Sequence, residues 1–320
     1  MNKAGLIGDI QAKFKINPVL ARRLLAIANP GNIFQHIEQM LDDKPKPFVK
    51  WVGGKRQLLK QFRLMNLYPP EGFNPSKNRY FEPFVGGGAV FFDLLPAKAF
   101  LSDLNAELVV TYNVIKNKVD LLISDLKRHE HDKEYFLKIR AQSPENLSDV
   151  KRASRFIYLN RTGFNGMYRV NSRGQFNVPF GKYKNPLICD EDNLRKAAAA
   201  LQNVQIENRD YKIVLEKARK GDFVYFDPPY YPVSKTASFT SYTKESFLEK
   251  EQLELRDTFL DLTKRGCFVM LSNSDAPFVN QIYTELKKYG VRITKVDAGR
   301  AINSNSAGRG KIKEVLVTNY

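Results

Sequence analysis

From Phe48 onward, short apolar runs bounded by turn residues alternate with longer stretches whose apolar positions recur every three or four residues. The runs "RYFEPF", "AFLSD", "VQIEN", "FVYFD", "CFVMLSN" and "EVLVTN" are rich in aromatic and β-branched residues and have the length of strands. Between them, "AELVVTYNVIKNKVDLLISDLKRH" and "KESFLEKEQLELRDTFLDLTKRG" carry a helical period. This alternation predicts an α/β fold around a mainly parallel sheet. The rhythm breaks between about residues 130 and 200, where a helical stretch is followed by a segment rich in Gly, Asn, Arg and aromatics. We read residues 131–199 as an inserted domain within a catalytic domain of residues 48–130 and 200–320. Residues 1–47 look separate: "NPVLARRLLAIA" and "IFQHIEQML" predict two helices broken at "NPG", and "DDKPKP" reads as a linker. Simple packing of a helical hairpin accounts for them, so they receive no function.

Composition narrows the partners. Lys and Arg number 51 against 34 Asp and Glu, a net charge of +17 that favours a polyanion such as nucleic acid or an acidic membrane surface. Apolar runs are too short to span a bilayer, and "MNKAGLIGDI" lacks the apolar core of a signal peptide, which makes a cytoplasmic protein the expectation. Two cysteines, Cys189 and Cys267, and three histidines are too few for a disulfide framework or a zinc site, so no metal is expected.

The candidate chemistry lies where apolar runs end. "FEPFVGGGAVFFDLL" puts Gly86 and Gly88 in a turn between a strand and a helix, where backbone N–H groups can approach a ligand. "FLSDLNAEL" ends a further strand at Asp103, where an acid would meet ribose hydroxyls or, equally, cap the next helix. Pro83 and Phe84 stand where phosphate-binding loops need small residues, so a nucleoside with a short charged appendage fits better than a phosphate-rich ligand. S-adenosyl-L-methionine is such a molecule. "FVKWVGGKRQLL" adds Trp51 and Lys55, which suit packing on a ligand and pairing with a carboxylate.

In "FIYLNRTGFNGMYRVNSRGQFNVPFGKYKNP", Phe164, Tyr168, Phe176, Phe180 and Tyr183 interleave with Arg161, Arg169, Arg173, Lys182 and Lys184. Rings that stack on bases and cations that meet phosphates or guanine edges make this a nucleic-acid surface, and "MYRVNSRGQFNVPF" reads as a β-hairpin able to enter a groove. Finally, "VYFDPPYYP" stops an apolar strand at Asp227, and Pro228 and Pro229 stiffen the backbone beyond it. An exocyclic amine on a base is a poor nucleophile because its lone pair is delocalised into the ring. The Asp227 carboxylate and the Pro228 carbonyl, both accepting hydrogen bonds from such an amine, would draw that lone pair out, while Tyr230 stacks on a base extruded from its duplex.

Taken in order, "FVKWVGGKRQLL", "YFEPFVGGGAVFFDL", "SDLNAEL", "NRTGFNGMYRVNSRGQFNVPFGKYKNP", "GDFVYFDPPY" and "GRGKIKEVLVTN" resemble the Dam/DpnM group of N6-adenine DNA methyltransferases from Phe48 to the C-terminus. The resemblance implies a seven-stranded S-adenosyl-L-methionine-dependent methyltransferase sheet, with a DNA-recognition domain inserted between the glycine and catalytic motifs. It implies cofactor-site positions at Trp51, Lys55, Glu82, Pro83, Phe84, Gly86, Gly88, Asp103 and Asp227, and a catalytic tetrapeptide at Asp227, Pro228, Pro229 and Tyr230. Recognition or base-contacting positions fall on Lys50, Phe164, Asn165, Met167, Arg169 and Pro179, and the charge pattern adds Arg173 and Lys182. Phe164 stands where relatives often carry tyrosine, which keeps stacking and removes a hydroxyl contact. The implied activity is methylation of adenine in double-stranded DNA, at GATC, by a monomer that acts alone or beside a restriction endonuclease for the same site.

Four other readings compete, one of them methylation of a protein or RNA amide or amine, which would use a similar tetrapeptide. An N4-cytosine methyltransferase would act on a similar amine. A DNA-binding relative without catalysis is disfavoured by the intact tetrapeptide, and a nicotinamide oxidoreductase would need a full G-x-G-x-x-G and no basic aromatic hairpin.

Overall fold

In the computed structural model, which describes residues 3–14, 18–27, 31–233, 247–299 and 311–320, the apolar runs become strands of one sheet. These are β1 (Tyr80–Glu82), β2 (Ala99–Ser102), β3 (Val204–Glu207), β4 (Phe223–Phe226), β5 (Phe268–Ser274), β6 (Arg292–Gly299) and β7 (Lys311–Thr318). The strand order is β3-β2-β1-β4-β5-β7-β6. The first five pair in parallel, and β7 runs antiparallel to both β5 and β6. The central strands β1, β2 and β4 are buried along their whole length because both faces are covered, and their residues are mostly apolar. Along β4, Phe223 and Tyr225 join one buried core with Phe62 and Tyr112, while Val224 and Phe226 join another with Phe259 and Tyr283. The expected fold class is the observed one. The apolar runs did not announce β6, since "RITKVDAG" places Lys295 and Asp297 in solvent. The residues 308–310 of the "GRGKIKEVLVTN" motif lie outside the described residues.

Helices fill both faces and the insertion. Between β2 and β3 the chain forms α6 (Ala106–Leu126), α7 (Lys133–Ala141), α8 (Asp149–Thr162) and α9 (Glu191–Ala200), with α5 (Ala89–Leu94) earlier and α4 (Arg56–Leu64) before it. Side chains fix where these helices begin: Asp132 accepts from Tyr135 N–H, Ser148 from Lys151 N–H and Asp190 from Asn193 N–H, each supplying an N-cap. One face of α8 buries Ala153, Phe156 and Ile157 in the main core, and its other face buries Tyr158 and Leu159 with Phe136, Phe176 and Val178. After β4 come α11 (Glu249–Lys264) and α12 (Pro277–Thr284), with α10 (Ile213–Lys217) before it.

At the N-terminus, α1 (Lys3–Phe14), α2 (Pro18–Ile27) and α3 (Ile33–Asp42) pack on a small core of Ile10, Ala21, Leu24 and Ile37. The linker after α3 is docked on α9. Lys46 N–H donates to Asn193 Oδ1 at 2.7 Å, and Asn193 Nδ2 donates back to the Lys46 carbonyl at 2.9 Å. Among the described residues, no helix is long and apolar enough to cross a membrane.

Candidate active site

The strand order reverses direction between β1 and β4, and open α/β sheets bind ligands outside the carboxyl ends of strands at such a point. Glu82 ends β1, Asp103 follows β2 and Asp227 follows β4, so three acids gather there. A cleft of about 1410 Å³ opens above them, lined by Trp51, Lys55, Gly86, Asp103, Asp227 and Tyr230 among others. Small-molecule sites usually occupy roughly 300–1,000 Å³. The cleft therefore has room for a nucleoside-sized cofactor and a second planar guest.

The glycine turn is held from three sides. Gly86 N–H donates to Asp103 Oδ2 at 3.0 Å, Asn105 N–H donates to Asp103 Oδ1 at 2.9 Å, and the Tyr112 hydroxyl donates to the Gly86 carbonyl at 3.0 Å. Asp103 thus ties the ends of β1 and β2 together, and burial raises its carboxyl above the ordinary aspartate range. Beneath the turn, Glu82 accepts from the Tyr80 hydroxyl at 2.9 Å and from Phe91 N–H at 3.1 Å, and burial pushes its carboxyl well up. Pro83 is buried behind it, while Phe84 reaches the cleft and stacks on Tyr211 with ring centroids 5.3 Å apart.

Glycine is required at Gly86 because the Trp51 indole crosses it: a Cβ there would lie 2.6 Å from Trp51 Cδ1, on a backbone with φ +47°. At Gly88, φ is +68° and a Cβ would lie 2.6 Å from the Tyr112 hydroxyl. Left-handed backbone alone costs an L-residue roughly 1–2 kcal/mol. Gly88→Ala is expected to lower Tm by several degrees in a thermal melt, and an unchanged Tm would show that the turn relaxes freely. Trp51 packs beside both Phe156 of α8 and Tyr168, with centroids at 6.3 and 6.1 Å, while those two rings lie 4.8 Å from each other, so it is both a core-packed residue and a wall of the cleft.

Asp227 meets Lys55 at 2.8 Å, and this ammonium is only 2% exposed while the carboxylate is 21% exposed. Lys55 also donates to the Gly53 carbonyl at 2.5 Å and sits 4.8 Å from the centroid of the Tyr230 ring. Burial raises the Asp227 carboxyl to about 6; Lys55 opposes the rise and Glu314 adds to it.

Residues that the sequence did not single out clamp the proline loop. Gln252 Nε2 donates to the Pro229 carbonyl at 3.2 Å, Tyr231 N–H donates to Asn273 Oδ1 at 3.1 Å, and Ser274 Oγ donates to the Tyr231 carbonyl at 2.6 Å. Asn273 Nδ2 in turn donates to Gln252 Oε1 at 2.9 Å. The available signal was polarity at the end of an apolar strand, in "SNS" of β5, where buried polar groups must find partners.

The basic hairpin reaches the same cleft through Tyr168 and Val170 of its first flank and Gly174 of its turn. Its flanks meet in the isolated bridges Gly163–Phe180 and Val170–Phe176 and in single backbone bonds such as Asn177 N–H to the Arg169 carbonyl at 3.0 Å, rather than in a regular ladder. The turn is set by Asn171, whose Oδ1 accepts from Arg173 N–H and Gln175 N–H at 3.0 Å each. Arg169 Nε donates to Asn177 Oδ1 across the hairpin at 2.7 Å. Phe164 is 41% exposed, and Asn165 holds a left-handed φ of 55°. Arg173, Pro179 and Lys182 are exposed and Met167 is half-buried. Lys50 turns toward the hairpin: its ammonium lies 4.4 Å from the Tyr183 ring centroid. Buried Asn160 links the two parts, accepting from Lys50 N–H at 2.8 Å and donating to the carbonyls of Lys50 at 2.9 Å and Gly166 at 2.8 Å.

Comparison with known proteins points one way. Residues 51–302 match the family model described as D12 class N6 adenine-specific DNA methyltransferase. A type II methyltransferase of Lactococcus lactis subsp. cremoris is 44% identical over 283 residues, covering 86% of this chain and 95% of that protein. A type II methyltransferase of Methanocaldococcus jannaschii is 45% identical over 293 residues, covering 86% of this chain and 99% of its own length. The DNA adenine methylase of Escherichia coli strain K12 is 34% identical over 277 residues, covering 85% and 95% respectively.

Proposed function

Given that the chain belongs to the D12 class of N6 adenine-specific DNA methyltransferases, we propose that it methylates the adenine of duplex GATC after turning that base out of the helix into the cleft. The observation that carries this reading is the single cleft shared by the Asp227–Lys55 pair, the glycine turn and the first flank and turn of the basic hairpin. A target base buried in a duplex is out of reach of a cleft floor, so the base must leave its stack.

The cofactor class that the family implies is S-adenosyl-L-methionine, and the donor set suits it. Two hydrogens of the buried Lys55 ammonium go to Asp227 and Gly53, which leaves the third for the cofactor's carboxylate. Trp51, Phe84 and the Gly86 turn supply apolar walls for an adenosine, with Asp103 beside its ribose. When bound, the cofactor supplies an electrophilic methyl on a sulfonium.

The chain's own residues prepare the acceptor. Asp227 and the Pro228 carbonyl accept hydrogen bonds from the target amine, turning its lone pair toward the methyl, and Tyr230 stacks on the base. The proton leaves after the amine has become cationic, so Asp227 need not be a strong base. Its carboxylate must nevertheless be ionised to accept both bonds. With the carboxyl raised to about 6, kcat/KM is expected to fall about tenfold per pH unit below that value in a pH–rate profile. A flat profile down to pH 5 would contradict the role.

We assign residues 131–199 to target recognition, with Lys50, Phe164, Asn165, Met167, Arg169 and Pro179 at the bases and Arg173 and Lys182 at phosphates. Greater identity to type II methyltransferases than to the DNA adenine methylase favours service beside a restriction endonuclease. The deciding experiment is transfer of labelled methyl to short duplexes containing GATC, or GATC with N6-methyladenine at the target. Incorporation only into the unblocked duplex supports the reading; none into either, with cofactor bound, refutes the site.

A further inference from the structure

Tyr230 is held at its tip, and the backbone of its neighbours Pro229 and Tyr231 is clamped on either side. The Tyr230 hydroxyl donates to Glu314 Oε2 at 2.7 Å, and Glu314 is only 9% exposed. This carboxylate comes from β7, where it pairs in register with Ser274 of β5 and Val296 of β6. Ser274 is the residue whose hydroxyl binds the Tyr231 carbonyl. Two neighbouring strands therefore grip successive residues of one loop, one by a side chain and the other by the backbone. The Lys55 ammonium lies over the ring face, so the ring is fixed by a cation on its face and a carboxylate at its tip. Glu314 lies outside residues 51–302, the span of the family match.

We propose that Glu314 is a positioning residue that sets the tilt of the Tyr230 ring beside Asp227, so that the stacking platform is in place before the base arrives. The inference rests on the reading of Tyr230 as that platform. A phenol that must be immobilised after the base enters loses the advantage of a preset geometry, and displacements near 1 Å can cost on the order of 10²-fold in rate. The bond requires an acceptor rather than a charge, which separates two replacements of the same residue. Glu314→Gln keeps an oxygen for the hydroxyl, and Glu314→Ala removes it.

The test compares full-length wild type, Glu314→Ala, Glu314→Gln, Tyr230→Phe and the Ala/Phe double variant. Steady-state kinetics would use S-adenosyl-L-methionine and a GATC duplex, with active sites counted by cofactor binding. Glu314→Ala and Tyr230→Phe are each expected to lose roughly tenfold or more in kcat, with KM for the cofactor within about threefold. The double variant should be no worse than either single one, and Glu314→Gln should keep kcat within about threefold. Because the Glu314 charge also bears on Asp227, the acid limb of the pH–rate profile should move to lower pH in both Glu314 variants, which a loss of folded protein would not do. Wild-type kcat in Glu314→Ala, or additive losses in the double variant, would overturn the proposal. If Glu314→Ala does not fold, undiminished kcat in Tyr230→Phe overturns it equally. A wild type that fails to methylate the duplex refutes the functional reading instead.

Discussion

Replacing Asp227 with asparagine is expected to lower methyl transfer by ~10²–10³-fold while leaving the fold and cofactor binding intact. The amide keeps one oxygen for Lys55 but presents an N–H₂ where the target amine needs an acceptor, and removal of one such polar contact at a reacting centre typically costs this much. The stability half of the expectation comes from linkage. The carboxyl titrates near 6 in the folded chain against an ordinary value of 3.8. Between those values the folded state binds more protons than the unfolded one, so wild-type stability falls as pH rises through that window, and ionised Asp227 burdens the fold at neutral pH. Asparagine is neutral throughout and lacks that fall. Single-turnover methyl transfer, cofactor titration and a thermal melt at pH 7.5 check all three points; activity within tenfold of wild type would remove Asp227 from the proposed mechanism.

The second large effect is on discrimination rather than rate. Arg169→Ala is expected to weaken cognate binding ~10–100-fold, with non-specific duplex affinity changed only a few-fold and cofactor affinity unchanged. A good base-edge contact is worth roughly 1–3 kcal/mol against the wrong base, whereas a phosphate contact serves every sequence alike. Arg169 is suited to reading because Asn177 holds its Nε from the opposite flank of the hairpin, which limits the directions open to the guanidinium. Lys182 has the opposite expectation: its replacement should weaken all duplexes about equally and reduce the salt dependence. Competition between GATC and scrambled duplexes decides between these roles. Parallel losses for Arg169→Ala would make it a phosphate contact too.

The parts of the architecture that the sequence made legible share a physical reason. β1, β2 and β4 are buried on both faces and read as unbroken apolar runs, and the prolines after Asp227 mark where the strand must stop. β6 escaped because its polar residues face solvent, and a half-buried strand with Lys295 and Asp297 resembles a surface loop in composition. The supports of the proline loop escaped for another reason. Gln252 comes from α11, Asn273 and Ser274 from β5 and Glu314 from β7, and nothing in any one of these segments ties it to the proline loop. What unites them is the strand order, in which the last strand slots between β5 and β6; no local pattern carries that information. Trp51 was legible as a candidate wall of the site, but its second role, as a member of a three-ring cluster with Phe156 and Tyr168, needed the tertiary structure.

The rooting of α8 in the main core bears on how this enzyme could acquire a new target sequence. Phe156 belongs to the same packed cluster as the sheet, and Asn160, in the last turn of the helix, holds the backbone of Lys50. Exchange of the whole insertion with a relative would therefore import a foreign face into the hydrophobic interior and disturb the Trp51 wall of the cleft. Beyond it, the hairpin is anchored by Phe176 and Val178, and its tip is a turn set by one asparagine. Because Phe176 is packed with Tyr158 and Leu159 of α8, grafts confined to residues 171–175 are the ones that spare this foundation, so divergence among sister enzymes, and any directed change of target, should concentrate in that short turn.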